Sequence, residues 1–183
     1  MAKFVLVHGA WHGGWCWSRV VNLLIQQGHQ VYTPTLTGLG ERSHHLSRGV
    51  NLETHIQDVV GIFEFEELTD VTLCGHSYGG FVITGAADRI PEHISSIVYL
   101  DAFIPKDGQS VKDLIPGKGK ADENIQVKEH GEVWKVPPRS AESFMVQAPE
   151  DRAWVDRRCV PHPYATMIQP INLTDNWKNI RTK

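Results

Sequence analysis

The residues best suited to chemistry follow a short apolar run, in the stretch GHSYG at positions 75–79. This stretch fits the G-x-S-x-G pattern, in which a serine stands at the apex of a sharp turn from a strand into a helix. Glycines two positions before and after the serine leave room for that turn. The helix N-terminus favours the negative oxygen that forms during acyl transfer. The pattern therefore predicts a nucleophilic serine at position 77, with a tight turn that carries no chemistry as the alternative.

A second stretch, HGAWHGGW at positions 8–15, directly follows the first predicted strand. Half of an oxyanion hole is expected there, since small residues let the backbone approach a reacting carbonyl. We expect the backbone N–H groups of Ala10 and Tyr78 to hold the oxyanion, with Gly9 and Trp11 in the pocket beside it. A glycine-rich loop built only for packing is the alternative interpretation.

The elements that must position these stretches alternate through the first hundred residues. The predicted strands cover 3–9, 29–38, 70–75 and 94–103, and the predicted helices cover 15–28, 51–68 and 78–89. Strands and helices in strict alternation are typical of a mostly parallel sheet with helices on both faces. The sequence therefore predicts an α/β fold.

The chain changes character after Pro105, where it becomes polar and rich in glycine and proline. One or two short helices are predicted between 140 and 163, in an aromatic and charged segment. We predict a core over 1–104, a lid or cap insertion over 105–175, and the start of the returning core over 176–183.

The composition and net charge of the chain limit the kinds of molecule that it is expected to bind. A net charge of −3 and a pI near 6.3 argue against nucleic acid. The apolar run at the N-terminus is too short for a signal peptide or a membrane span. Three cysteines, Cys16, Cys74 and Cys159, form an odd set without metal-ligand spacing. We therefore expect reduced thiols in a cytoplasmic protein with no metal and a small-molecule partner, and we leave a homodimer open.

Four stretches together resemble the α/β-hydrolase superfamily, in the branch that contains bacterial carboxylesterases, plant methylesterases and hydroxynitrile lyases. They are HGAWHGGWCW (8–17), PTLTGLGERSHHL (34–46), GHSYGG (75–80) and YLDAFIPKDGQS (99–110). The resemblance implies the α/β-hydrolase fold with a lid insertion after the fourth strand. It also implies a Ser–His–Asp hydrolase without a cofactor, acting on esters of small apolar or aromatic acids.

Carried over residue by residue, the resemblance assigns the nucleophile to Ser77 and the oxyanion-hole amides to Ala10 and Tyr78. The similar lyases carry a hydroxyl residue where this sequence has Gly9, which favours the esterase. A cyanohydrin-cleaving lyase and a non-catalytic binder that keeps the pocket remain as alternatives.

The base that would take the proton of Ser77 is not identified in this sequence. In the family the chain order is Ser, then Asp, then His, and both later residues would follow the lid. The histidines present are interpreted as packing or surface residues, and His162 as a lining residue of the pocket. Asp101 stands at the C-terminal end of the fourth strand, where catalytic groups of such sheets gather. We prefer a turn-capping role for Asp101, with the triad acid as the alternative. The histidines weighed are His8, His12, His44, His45, His55, His76, His93, His130 and His162.

The stretch SSIVYL (95–100) would form a long apolar edge strand if nothing paired with it. Natural sheets cover or charge such edges, because unpaired strands promote aggregation. We therefore expect the 183 residues to be a fragment of a longer hydrolase, with the C-terminal strands missing. Alone, they are expected to associate and to have little esterase turnover.

Overall fold

A computed structural model of the chain describes residues 1–115, 127–129 and 132–182. Five parallel strands form the central sheet, in the order β2-β1-β3-β4-β8, and three antiparallel strands form a second sheet, in the order β5-β6-β7. The strands are β1 (Lys3–Val7), β2 (Gln30–Tyr32), β3 (Val71–His76), β4 (Ile94–Leu100), β5 (Val127–Glu129), β6 (Glu132–Val136), β7 (His162–Pro163) and β8 (Arg181–Thr182).

Helices connect the strands as the alternation predicts, which confirms the α/β-hydrolase fold. The α-helices are α1 (Ser18–Gln26), α2 (Leu52–Phe65), α3 (Gly79–Arg89), α4 (Val111–Leu114), α5 (Pro149–Asp156) and α6 (Ala165–Ile168). Single 3-10 turns cover Gly14–Trp17, Gly40–His45, Pro91–His93, Ala141–Phe144 and Asn176–Asn179. The short helices predicted between 140 and 163 are present as Ala141–Phe144 and α5.

The two faces of the sheet carry different cores, because successive side chains of a strand point to opposite faces. Val5 and Leu73 face the larger core, into which α2 and α3 pack. Leu6 and Cys74 face a smaller core together with Trp17, and α1 covers that side with Val21 and Leu24. Helices on both faces were predicted, and the structure confirms them.

The prediction for the second strand was too long. β2 covers only Gln30–Tyr32, although the apolar pattern suggested 29–38. Pro34 has no backbone N–H to donate to a neighbouring strand. Beyond Pro34, Thr37 forms hydrogen bonds with Asp58 of α2 and not with a strand of the sheet. The Asp58 carboxylate accepts from both the N–H and the hydroxyl of Thr37, at 2.6 and 2.8 Å. The Asp58 side chain of α2 thus holds the loop that follows β2.

The prediction of a wholly unpaired edge strand was wrong. β8 pairs in parallel with β4, with Ser96 opposite Arg181 and Ile97 opposite Thr182. β8 pairs with β4 at two positions, because the chain returns to the central sheet after α6. The return is fixed at Asp88 of α3, whose carboxylate accepts from the N–H of Thr174 at 2.6 Å and from the N–H of Trp177 at 3.3 Å.

None of the helices in the described ranges is both long enough and apolar enough to span a membrane.

Candidate active site

Ser77 occupies the predicted turn between β3 and α3. Its φ is 52°, in the left-handed region that non-glycine residues seldom adopt. Tight packing keeps it there: a Cβ on Gly75 would lie 2.8 Å from the carbonyl oxygen of Gly79, and one on Gly79 would lie 2.9 Å from that of His8. The Ser77 hydroxyl has no hydrogen-bond partner among the residues that the structure describes. The turn therefore presents a half-buried, unengaged hydroxyl at the C-terminal end of the sheet.

Ala10 and Tyr78 are the two predicted oxyanion-hole residues: Tyr78 directly follows Ser77, and Ala10 directly follows Gly9, which packs against Ser77. They are 5% and 1% exposed, yet their backbone N–H groups find no acceptor within the described part of the chain. Buried amides are normally paired, so an unpaired one needs an explanation. Two such amides beside a serine hydroxyl are available to an incoming oxygen atom.

Gly9 lies directly against the turn that carries Ser77. A Cβ at this position would stand 3.0 Å from Nδ1 of His76 and 3.2 Å from Cβ of Ser77. A side chain here would crowd both residues. Gly9 therefore keeps open the space in front of Ser77, consistent with the predicted pocket position.

His8 fixes the loop that carries Ala10. Its Nε2 accepts from the N–H of Leu36 at 3.1 Å, so the proton lies on Nδ1, which donates to the carbonyl of Gly9 at 2.8 Å. Burial lowers the pKa of His8 to about 3, so the ring is neutral. A neutral His8 thus holds the carbonyl side of the peptide unit that carries the Ala10 amide.

His55 of α2 anchors the other half of the site. Its Nε2–H donates to the carbonyl of Thr37 at 2.9 Å, and its Nδ1 accepts from the hydroxyl of Tyr78 at 2.9 Å. Burial lowers the pKa of His55 to about 4 and raises the pKa of the Tyr78 hydroxyl well above its ordinary value. The side chain of Tyr78 is therefore locked while its backbone amide remains unpaired.

Trp11 is held by the segment 105–175, predicted to be the cap and called so below, and not by its own loop. Its φ is 65°, its carbonyl accepts from the N–H of Val160 at 3.0 Å, and its indole N–H donates to the carbonyl of Val136 at 3.2 Å. Phe144 also packs against the ring, with 6.0 Å between centroids. Trp11 therefore forms an aromatic wall where the oxyanion loop meets the cap, beside the predicted pocket.

His162, predicted to line the pocket, is fully buried between Trp11 and Tyr78. Nδ1 accepts from the N–H of Trp11 at 3.4 Å, and Nε2 lies 2.8 Å from the hydroxyl oxygen of Thr166. It makes no hydrogen bond to Ser77. Burial, together with the neighbouring His55 and His8, lowers the pKa of His162 well below its ordinary value.

Asp101 ends β4 in an exposed position, with a φ of 44°. No hydrogen bond joins its carboxylate to a histidine among the described residues. Burial and the neighbouring His12 lower the pKa of His76, and the charge of Asp101 only partly opposes that shift. The roles of triad acid and turn cap for Asp101 both stay predictions.

Of the remaining histidines that the structure describes, His12 and His76 lie at the edge of this site and the others lie away from it. His12 bonds to the carbonyl of Ala10 at 2.7 Å and stacks on Trp15, and His93 bonds to the carbonyl of Leu68 at 2.8 Å. His44 and His45 pack on each other in an exposed turn. His130 lies outside the described residues.

Sequence reasoning missed how His8 and His55 support the two amides. Both were interpreted as packing residues, since their partners lie 23 to 28 positions away and no local spacing signals them. Within the described ranges the three cysteines are unpaired thiols, and no group of histidine, cysteine and acidic residues could hold a metal ion.

Comparison with known proteins places these features in context. Residues 4–183 match the family model described as the alpha/beta hydrolase family. The chain is 47% identical over 193 residues to a carbendazim hydrolyzing esterase of Nocardioides sp. (strain SG-4G), covering 100% of this chain and 78% of that protein. It is 28% identical to the chloroplastic putative methylesterase 13 of Arabidopsis thaliana, where the match covers 98% of this chain but only 44% of the plant protein.

Solved structures give the same picture of the fold. An extracellular alpha/beta-hydrolase from a Paenibacillus species superposes with a TM-score of 0.86 at 27% identity, covering 100% of this chain and 76% of that one. Tomato methylketone synthase I superposes with a TM-score of 0.81 over 99% of this chain and 76% of that one, at 20% identity. The second likeness concerns the fold alone.

Proposed function

Since the chain belongs to the alpha/beta hydrolase family, we propose that it hydrolyses carboxylic esters through an acyl-enzyme formed on Ser77. The coarser part, ester hydrolysis, is supported by the esterase that shares 47% of its residues and by the plant methylesterases. One observation carries the finer part. The hydroxyl of Ser77, in a strained turn, stands beside two buried amides that lack an acceptor in the described structure.

The chemistry proceeds in two steps. The oxygen of Ser77 attacks the ester carbonyl, and the N–H groups of Ala10 and Tyr78 stabilise the negative oxygen of the tetrahedral intermediate. The alcohol leaves with a proton, and water then attacks the acyl-enzyme and releases the acid. Amides that are fixed before the substrate binds need no reorganisation during the reaction, which is why they lower the barrier.

A base must take the proton of Ser77, and we place it outside the 183 residues. The buried His8, His55 and His162 each have both ring nitrogens engaged by hydrogen bonds, and none of these bonds is to Ser77. The chain spans 78% of the Nocardioides esterase and 76% of the Paenibacillus hydrolase. In the chain order of the family, the histidine follows the lid.

The substrate we propose is a small ester with an apolar or aromatic acyl group. Trp11 and Phe144 supply aromatic surface next to the oxyanion loop, and Gly9 leaves room in front of Ser77. The names of the relatives, a carbendazim hydrolyzing esterase and methylesterases, agree with small ester substrates.

Hydrolysis of p-nitrophenyl acetate and p-nitrophenyl benzoate by the full-length protein tests this function. We expect Ser77→Ala to lower kcat by roughly 10⁴-fold or more, because losing the nucleophile removes most of the acceleration. Ser18→Ala, at an exposed position of α1, is the matched control and should behave like the wild type.

Full activity in Ser77→Ala would contradict the mechanism. Cleavage of mandelonitrile without any ester hydrolysis would instead favour the lyase, and substrate binding without turnover of either compound would favour a non-catalytic binder.

A further inference from the structure

We infer that His162 of the cap is a positioning residue, which holds both halves of the oxyanion hole in place from outside the core. This role presupposes the esterase mechanism proposed above, because the groups that His162 positions are the two amides beside Ser77. His162 does not contact the reacting atoms; it acts through Trp11 and Tyr78.

The hydrogen bonds of His162 define a single tautomer. The hydroxyl of Thr166 donates to the carbonyl of Pro163 at 2.8 Å, so its oxygen is free to accept the proton on Nε2 of His162, also at 2.8 Å. Nδ1 is then unprotonated and accepts from the backbone N–H of Trp11 at 3.4 Å. Fixing one nitrogen through a second residue is how proteins orient imidazoles that serve another group.

This arrangement bears on the first half of the oxyanion hole through the peptide that joins Ala10 to Trp11. The N–H of Trp11 belongs to that peptide, one residue after the Ala10 amide. If Nδ1 did not accept from it, the N–H of Trp11 would become a third unpaired donor beside those of Ala10 and Tyr78. The peptide would then be held only at its carbonyl, which accepts from Nδ1 of His12 at 2.7 Å. Trp11 has a φ of 65°, a conformation that needs external contacts to persist. His162 supplies the contact at the amide itself.

The same ring bears on the second half by packing. The imidazole of His162 meets the ring of Tyr78 edge to face, with centroids 4.7 Å apart and planes at 75°. On its other side, Tyr78 is bonded to His55. Pairing of Val136 with His162 between β6 and β7 fixes the backbone of His162 in turn. One cap residue therefore contacts the residue after Ala10 and the residue that bears the second amide.

The other contacts between Trp11 and the cap do not involve the side chain of His162. Its carbonyl and indole are held by backbone groups of Val160 and Val136, which no substitution at position 162 removes. A variant of His162 should therefore leave the cap docked and loosen only the amide of Trp11.

Two isosteric substitutions separate the acceptor from the bulk of the ring. In His162→Asn the side-chain oxygen can take the place of Nδ1 and accept from Trp11. In His162→Gln the amide reaches the place of Nε2, near Thr166, and leaves Trp11 without its acceptor. His44→Gln, in an exposed turn, is the control for the same change of residue type.

We expect His162→Gln to lower kcat for p-nitrophenyl acetate by roughly 10- to 100-fold with little change in KM, since a displaced oxyanion donor weakens the transition state more than the ground state. His162→Asn should stay within about threefold of the wild type. Amide hydrogen exchange of the peptide containing Trp11 should be faster in His162→Gln than in His162→Asn, and this readout does not depend on activity.

A folded His162→Gln with wild-type kcat and wild-type exchange at Trp11 would overturn the inference. If His162→Gln does not fold, Thr166→Val provides the same test, because it removes the partner of Nε2 and should also speed exchange at Trp11. A wild type that hydrolyses no ester would overturn the proposed function, whereas slow exchange at Trp11 that depends on His162 would still establish the positioning contact.

Discussion

Individual residues of this site divide sharply into those that local sequence predicts and those that only the fold reveals. Ser77, Ala10 and Tyr78 stand in short motifs whose spacing reflects a turn and a loop, so each could be named from the sequence. His8 and His55 have no such signal. Their roles come from bonds to Leu36, Thr37 and Tyr78, which tertiary packing brings together.

Because these histidines are buried and neutral, the stability of the fold should depend on pH. Burial lowers the pKa of His8 to about 3 and that of His55 to about 4, from 6.5. Below pH 6.5 the unfolded chain therefore binds protons that the folded chain does not. The free energy of unfolding should fall as pH falls from 6.5 towards 4, by up to about 1.4 kcal/mol per pH unit for each histidine.

Urea unfolding at about pH 7 and about pH 5 measures this effect. His55→Gln should lose less stability between the two values than the wild type, since one titrating group is gone. The exposed His44→Gln should lose as much as the wild type. Equal losses in all three proteins would show that His55 is not held neutral by the fold.

At the scale of elements, strong periodicity predicted α2, α3, β1, β3 and β4 to within a few residues. The predictions failed where tertiary contacts override local pattern. β2 ends early because Pro34 and the hydrogen bonds of Thr37 to Asp58 interrupt its pairing. β6 pairs with β7, a strand of two residues that includes a proline and is too short to give a periodic pattern in the sequence.

The contact between α2 and α3 depends on a glycine. A Cβ on Gly85 of α3 would lie 2.4 Å from Cδ1 of the buried Ile56, whereas a Cβ on Gly61 of α2 would meet nothing within 4 Å. We expect Gly85→Ala to destabilise the fold by about 1–3 kcal/mol through overpacking. Gly61→Ala should stabilise it by about 0.5–1 kcal/mol, because alanine favours a helix more than glycine.

Thermal or urea unfolding measures the change in the free energy of unfolding for each variant. The two variants are comparable because both replace a helical glycine with alanine. A Gly85→Ala protein as stable as Gly61→Ala would mean that α2 and α3 are not packed as closely as described. Such a result would also weaken the account of His55, which the same helix carries to Tyr78.

At the scale of the whole molecule, three parts of the chain meet at the contact between His162 and Tyr78. The oxyanion loop contributes Trp11, α2 contributes His55, and the cap contributes His162. The cap segment returns to the sheet through Asp88, and β8 then lies beside β4. Core and cap are therefore joined at the site itself, which a reading of separate segments could not foresee.

The alternation of strands and helices was enough to predict the fold class, and the G-x-S-x-G motif was enough to predict the sharp turn at Ser77. The pairing of β8 with β4 was not predictable, because two polar residues near the end of the chain carry no strand pattern. The segment 105–175 was predicted to be a cap only from its loss of periodicity, and its contacts with Trp11 came from the structure alone.

The nucleophilicity of Ser77 is the central claim, and covalent labelling of the full-length protein with a fluorophosphonate tests it most directly. The serine oxygen displaces fluoride from phosphorus only when it is activated and an oxyanion site receives the phosphoryl oxygen. We predict one label per chain, located by peptide mass spectrometry at Ser77, and no label in Ser77→Ala or in the heat-denatured protein. A folded wild type that takes up no label, or takes it up at another residue, would contradict the account.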